Sequence, residues 1–190
     1  MTNHVRFSEI CLSDYGMIFI QVEGASERAV IEILKANNVL KLNETQIYRE
    51  YLRREKVQAI ERYVASHKSK KKNLLIRIVD SPNEKYRARR LFANRYDVCT
   101  IVTNPEIEVL IIFAEGLENN REYLKSEKPS IYLKTKWPKW NQYRQRHKSL
   151  KSESFFKEYF ADVDDLIRAI LKHSRSNSNE YDRLKDLLKD

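Results

Sequence analysis

With 190 residues, 42% of them apolar, and seven Phe and eleven Tyr among them, the chain can bury a core as one domain or as a domain with a helical extension. Lys and Arg outnumber Asp and Glu by 36 to 27, a formal net charge of +9, which favours a polyanionic partner: nucleic acid first, an acidic membrane surface second. No apolar run approaches the roughly 20 residues of a membrane span, and the opening Met-Thr-Asn-His-Val-Arg lacks the regions of a secretion signal, so the expected place is the cytoplasm, with no membrane partner.

Residues 5–12 are weakly patterned and can supply an edge strand. Three nearly continuous apolar runs, 17–22, 74–79 and 96–102, suit parallel strands covered on both faces. Between the first two, residues 26–36 and 46–66 have helical spacing, the second with Ile47, Tyr51, Val57, Ile60 and Val64 on one face. Ser81 or Asn83 can cap a helix over 85–94. After Val102 the pattern predicts helices over 106–115, 130–134, 152–159, 163–173 and 179–188. The expected fold class is α/β, a parallel sheet flanked by helices with a helical C-terminal half. The expected division is an α/β core over 1–120 and a helical extension over 121–190 packed on it. Cys11 and Cys99 lie far apart without metal-ligand spacing and read as free thiols.

The run Met17 to Val22 ends in Glu23-Gly24, one of only three glycines, and opens into a helical stretch, which predicts a tight strand-to-helix turn. The second run ends at Asp80 with Glu84 following, and the third leads to Glu106 and Glu108. Parallel strands would bring these junctions, Glu23 with Glu27, Asp80 with Glu84, and Glu106 with Glu108, to one sheet edge. Carboxylates gathered there can share one or two Mg²⁺ ions, a geometry for phosphoryl transfer. Each acid also has a structural reading: Glu23 as a helix-start acid, Asp80 as a cap, and Glu27 and Glu84 as first-turn acids or partners of Arg28 and Lys85. Two positions apart on a helix, Glu106 and Glu108 are not expected to face the same way, and Glu106 is favoured.

This order of elements resembles the TOPRIM domain of topoisomerases, primases and nucleases of the OLD and RloB kind. The residues carrying the resemblance are Val22-Glu23-Gly24 with Ser26-Glu27, Asp80 at the end of the second strand, and Asn104-Pro105-Glu106-Ile107-Glu108 after the third, within about residues 17 to 115. It implies that Glu23 is a general acid or base and that Asp80 binds Mg²⁺ or Mn²⁺. The family's second Asp is replaced by Pro82, so Glu84, Glu106 or Glu108 would have to stand in as metal ligand. The chain also resembles a group of small bacterial proteins with the pattern Asp-Ser-x-x-Glu followed by Pro-Glu-Ile-Glu. TOPRIM relatives of this size imply a setting in phage defence, and with it a defence-complex subunit or a homo-oligomer.

Basic residues supply candidate nucleic-acid contacts: Lys70 and Lys71 in the loop 68–72, Arg87 and Arg90 at helical spacing, and Lys134 and Lys136 beside Trp137 and Trp140, whose rings can stack on unpaired bases. The plainer readings are a solvated loop and tryptophans that pin a connection to the core. There is no Gly-rich phosphate loop, nucleophile elbow, His-Glu-x-x-His or Cys-x-x-Cys. The expected function is a metal-dependent nuclease acting on RNA or DNA. The alternatives are a non-catalytic nucleic-acid-binding or regulatory module and a protein-interaction component.

Overall fold

The computed structural model describes residues 4–53, 56–81, 83, 86–87, 89–92, 94–125, 128–175 and 181–189. Three strands, β1 (Tyr15–Val22), β2 (Lys72–Val79) and β3 (Tyr96–Val102), form a parallel sheet in the order β1-β2-β3. Ile20 pairs with Ile76, and Ile76 with Cys99, so the strands start and finish nearly level. Alternate side chains leave opposite faces. Ile18, Ile20, Leu74, Ile76 and Ile101 enter the larger core, while Phe19, Leu75 and Val98 enter a smaller one.

Helix α1 (Ala25–Ala36) packs on the larger face, and α2 (Val57–Ser66) covers the smaller one with Ile60 and Val64. The remaining helices, α3 (Val109–Ala114), α4 (Arg121–Leu124), α5 (Pro129–Lys136), α6 (Trp140–Tyr143), α7 (Glu153–Tyr159) and α8 (Val163–Arg175), make the C-terminal half helical. The fold is thus α/β, a parallel sheet flanked by helices. Phe155, Phe156, Leu166 and Ile170 join Ile20 and Ile76 in one cluster, so the segments 1–120 and 121–190 share a core. The helices bury their apolar faces where burial is worth roughly 1.5–3 kcal/mol per large side chain.

Both sheet edges are covered. The free edge of β1 is taken by residues 46–52: Ile18 N donates to Gln46 O at 2.8 Å and Leu52 N to Ile20 O at 2.9 Å. The helix expected over 46–66 therefore begins only at Val57, because open backbone donors and acceptors on β1 recruit its first third. On β3, Val5 N donates to Val98 O at 3.0 Å and Val102 N to Asp182 O at 2.9 Å. The expected N-terminal edge strand is one isolated bridge at His4, followed by 3₁₀ turns at Phe7–Glu9 and Leu12–Asp14. In place of the helix expected over 179–188 there is a 3₁₀ turn at Leu184–Leu187, and residues 176–180 lie outside the described ones.

Nor is the described part of 85–94 an α-helix; it contains only the 3₁₀ turn Arg90–Phe92. This stretch instead meets Glu61, a fully buried carboxylate on α2. It accepts from Arg89 Nε at 2.7 Å and also from the Arg89 amide and, at 3.5 Å, from Tyr96 Oη. Tyr86 Oη lies 3.0 Å from Tyr96 Oη, and Arg77 stacks over the Tyr86 ring at 4.9 Å. A buried carboxylate is costly to leave unpaired, and these groups supply its partners. Cys11 and Cys99 are free thiols. Among the described residues no helix is long and apolar enough to cross a membrane.

Replacing Glu61 by Gln removes the charge from three hydrogen bonds. It is expected to lower unfolding stability by about 2 kcal/mol and to abolish hydrogen-exchange protection of the Arg89 amide. Urea denaturation and exchange measurements check both, and an unchanged Arg89 amide would refute the anchoring role.

A carboxylate cluster at the C-terminal edge of the sheet

The junction after each strand carries an acid to the same edge. Residues after β1 turn directly into α1, whose N-cap is Gly24. The backbone there is extended, so a reversed φ is not what requires glycine. A Cβ at Gly24 would come 3.1 Å from Glu27 Oε2. The Glu27 carboxylate folds back on the Gly24 amide and its own, as a third-position helix acid does. Glycine leaves room for that approach.

After β2, the Asp80 amide donates to Glu23 Oε2 at 3.3 Å, bringing the first two junctions into contact. After β3, Thr103 ties back by its amide (2.8 Å) and hydroxyl (3.1 Å) to Val79 O, setting the third junction beside the second. The chain then passes a cis Asn104–Pro105 peptide and enters a tight turn before α3. Because Glu106 to Glu108 lie in this turn and not in a helix, both carboxylates reach the same cation. Lys151 Nζ lies 3.0 Å from Glu106 Oε1 and 3.8 Å from Glu108 Oε2. The expectation that only one of the two faces the site is corrected by this geometry.

Lys151 carries no motif in the sequence. It lies just before α7, and its only sequence signal is its presence in a basic stretch. Glu106 also accepts from the Ser130 amide at 3.2 Å, and Glu108 from Ser26 Oγ at 3.2 Å. The two acids differ in environment. For Glu106, burial raises the pKa, but the hydrogen bonds from Ser130 and Lys151 outweigh it and hold the carboxyl below its ordinary value. For Glu108, burial dominates over the attraction of Lys151, and the nearby charges of Glu106 and Glu27 add to it, giving a pKa of about 7. Burial raises Glu27 as well, with Asp80 near enough to add to the effect and Lys151 opposing it. Glu23, Asp80, Glu27, Glu108 and Glu106 thus form a chain of acids closed at one end by one lysine.

Beside this cluster a cleft of about 360 Å³ opens between Glu23, Gly24, Arg28, Tyr51, Arg53 and Glu153. Arg28 is held by Glu32 (2.8 Å) and Glu153 (3.7 Å) and stacks over Tyr51 at 5.4 Å. Burial, then Glu32, push the Tyr51 hydroxyl up to about 12, so it remains a neutral donor. Arg53 is exposed, and no described residue pairs with its guanidinium.

The other candidates scatter. Lys70 and Lys71 are exposed at the opposite end of the sheet, Lys71 donating to Ser13 O. Arg87 is exposed but not on a helix, so the expected arginine ridge is not formed; the Arg90 side chain and all of Glu84 and Pro82 lie outside the described residues. Lys134 and Lys136 are exposed on the last turn of α5. Trp137 and Trp140 are buried. Trp137 stacks on Tyr143 at 5.9 Å and meets Tyr159 edge-on, while Trp140 meets Phe155. Their expected stacking on bases is therefore corrected: the rings are core.

Among the described residues no group of three or more His, Cys, Asp or Glu side chains is arranged to hold a metal ion. The chain has no significant match among protein-family models, curated proteins or solved structures. The geometry of the edge is therefore the main guide to its chemistry.

Glu108 offers a direct check. Its folded-state pKa lies above the ordinary 4.5, so folding favours the protonated form. That contribution is present below pH 4.5 and is lost as the pH rises to about 7. Glu108→Gln is thus expected to stabilise the protein at pH 8 by up to about 3 kcal/mol and to change little at pH 4. Denaturation at both pH values measures this, and an equal effect at both would contradict the assignment.

Proposed function

We propose that the protein is a TOPRIM-like, divalent-cation-dependent nuclease whose centre lies at Glu23 and Asp80. The observation that carries this reading is the meeting of these two acids. They come from the ends of adjacent parallel strands, the Asp80 amide donating to Glu23 Oε2, and Glu23 lines a cleft that also holds Arg28 and Arg53. A cleft pairing carboxylates with guanidinium groups suits a phosphodiester: the guanidiniums take phosphate oxygens, and the acids take a cation or a proton.

The donor set fits magnesium or manganese in one particular way. Mg²⁺ commonly takes one or two carboxylates and completes its shell with water and substrate phosphate, so a closed protein cage is not needed. Glu23 and Asp80 would supply the two hard oxygen donors, and the ion, when bound, would supply positive charge to the reacting phosphate. Glu106 and Glu108 are read differently here, since both already face Lys151. Their task is to hold Lys151, and through it the third junction, against the first. Arg53 is exposed at the cleft rim and would meet the phosphate first, with Arg28 fixed behind it by Glu32 and Glu153. Glu23 lines the cleft and, where it does not serve as the second metal ligand, would take or give a proton there.

Purified protein incubated with mixed RNA and DNA is expected to cut one of them in Mg²⁺ or Mn²⁺ and to stop with chelator. Asp80→Asn and Glu23→Gln should each lower the rate by about 100-fold or more while leaving substrate binding intact. Cutting that persists in chelator, or an Asp80 variant with full activity, would sink the proposal.

A further inference from the structure

A second, basic surface lies at the opposite end of the same sheet. In a parallel sheet the starts of all strands share one edge, so the residues just before β2 and β3 meet there. Residues 66–72 and 94–95 do so around a groove of about 200 Å³ lined by Lys68, Lys70, Lys71, Lys72, Asn94 and Arg95. It runs into a second hollow of about 320 Å³ that shares Ala65, Lys68 and Arg95 and adds Leu91 and Phe92.

The loop bearing these cations is fixed in place. Asn73 Nδ2 donates to Val64 O at 3.0 Å and to His67 O at 2.8 Å, and Asn73 Oδ1 accepts from the Met17 amide at 3.2 Å. Gly16 lets it lie close, since a Cβ there would come 1.9 Å from Ser69 Oγ. Two of the cations are engaged: Lys72 pairs with Asp97 at 3.1 Å, and Lys71 donates to Ser13 O. Lys68, Lys70 and Arg95 are exposed, and no described residue pairs with them. Beside them Leu91 is 79% exposed, an unusual position for a large aliphatic side chain. Phe92, under the Arg89 guanidinium at 5.0 Å, is half-buried.

We propose that this groove holds single-stranded nucleic acid, its phosphates on Lys68, Lys70 and Arg95 and a base against Leu91 and Phe92. An ordered basic row beside exposed apolar surface matches a strand that alternates anionic phosphates with flat apolar bases. A duplex keeps its base faces stacked inside and cannot use the apolar part. The groove stands one strand length, roughly 26 Å, from the carboxylate edge. It therefore acts as an anchor remote from Glu23 and Asp80 and is independent of whether that edge cuts.

Binding measured without metal separates this site from the nuclease reading. A fluorescein-labelled oligo-dT of about 20 nucleotides, long enough to exceed one such site, is titrated by anisotropy in chelator over a salt series. The triple change Lys68→Gln, Lys70→Gln and Arg95→Gln is expected to weaken binding at least tenfold at low salt. It should also lower the slope of log affinity against log salt by about 2, since each lost phosphate contact on a single strand removes about 0.7. Leu91→Ser should weaken binding severalfold with the slope unchanged. A control with the same charge loss, Lys125→Gln, Lys148→Gln and Lys172→Gln, should keep most of the affinity, and thermal melts confirm that all variants fold. The proposal is overturned if wild type does not bind, if the control loses as much as the triple variant, if Leu91→Ser binds as wild type, or if polyglutamate competes as well as unlabelled oligo-dT.

Discussion

Three parallel strands buried on both faces leave the ends of the sheet as the natural places for polar chemistry. Most side chains along β1 and β2 are buried, and the few polar ones inside, such as Gln21 and Arg77, are tied to each other at 2.9 Å. Charge is therefore sorted by chain direction. Residues that come after a strand collect at one edge, and residues that come before a strand collect at the other. Five acids gather at the first edge around Lys151, and four lysines with Arg95 line the groove at the second.

The acidic edge is under electrostatic tension that its partners only partly relieve. Lys151 is one cation against several acids, and its own pKa is raised because Glu106 and the charges of Glu108 and Glu27 outweigh the burial that would lower it. Glu106, nearest the ammonium and bonded to Ser130, is comfortable as a carboxylate. Glu108, buried deeper and further from Lys151, is not, and holds its proton to about pH 7. A second positive charge arriving at this edge would meet a centre already short of cations.

Much of this could be read from the chain, and the failures have physical causes. The strands were legible because runs such as Leu74 to Val79 are apolar throughout, a pattern only a doubly covered strand needs. The convergence of Glu23 and Asp80 followed from parallel topology alone. Residues 46–52 misled because Ile47 and Tyr51 fit a helical face as well as an edge segment, and the decision was taken by open hydrogen-bonding groups on β1, which are non-local. The stretch 85–94 misled for a similar reason: its helical spacing could not reveal that Arg89 is claimed by Glu61, 28 residues earlier. Lys151 was invisible as a site residue because it is 43 residues beyond Glu108 with no motif linking them.

The C-terminal segment shows why the helical half belongs to the site and is not an appendage to it. Asp182 accepts from the Phe7 amide at 2.9 Å, and its own backbone carbonyl accepts from Val102 at the end of β3. Lys189 N donates to Val39 O at 2.8 Å, closing the chain onto the loop after α1. His173 on α8 reaches Asn104 O at 3.0 Å, on the turn that aims Glu106 and Glu108. That turn is thus held from both sides, by Lys151 ahead of α7 and by His173 at the end of α8. The orientation of the third junction depends on helices more than 40 residues downstream, and any change that loosens α7 or α8 should be felt at the carboxylates before it is felt in the sheet.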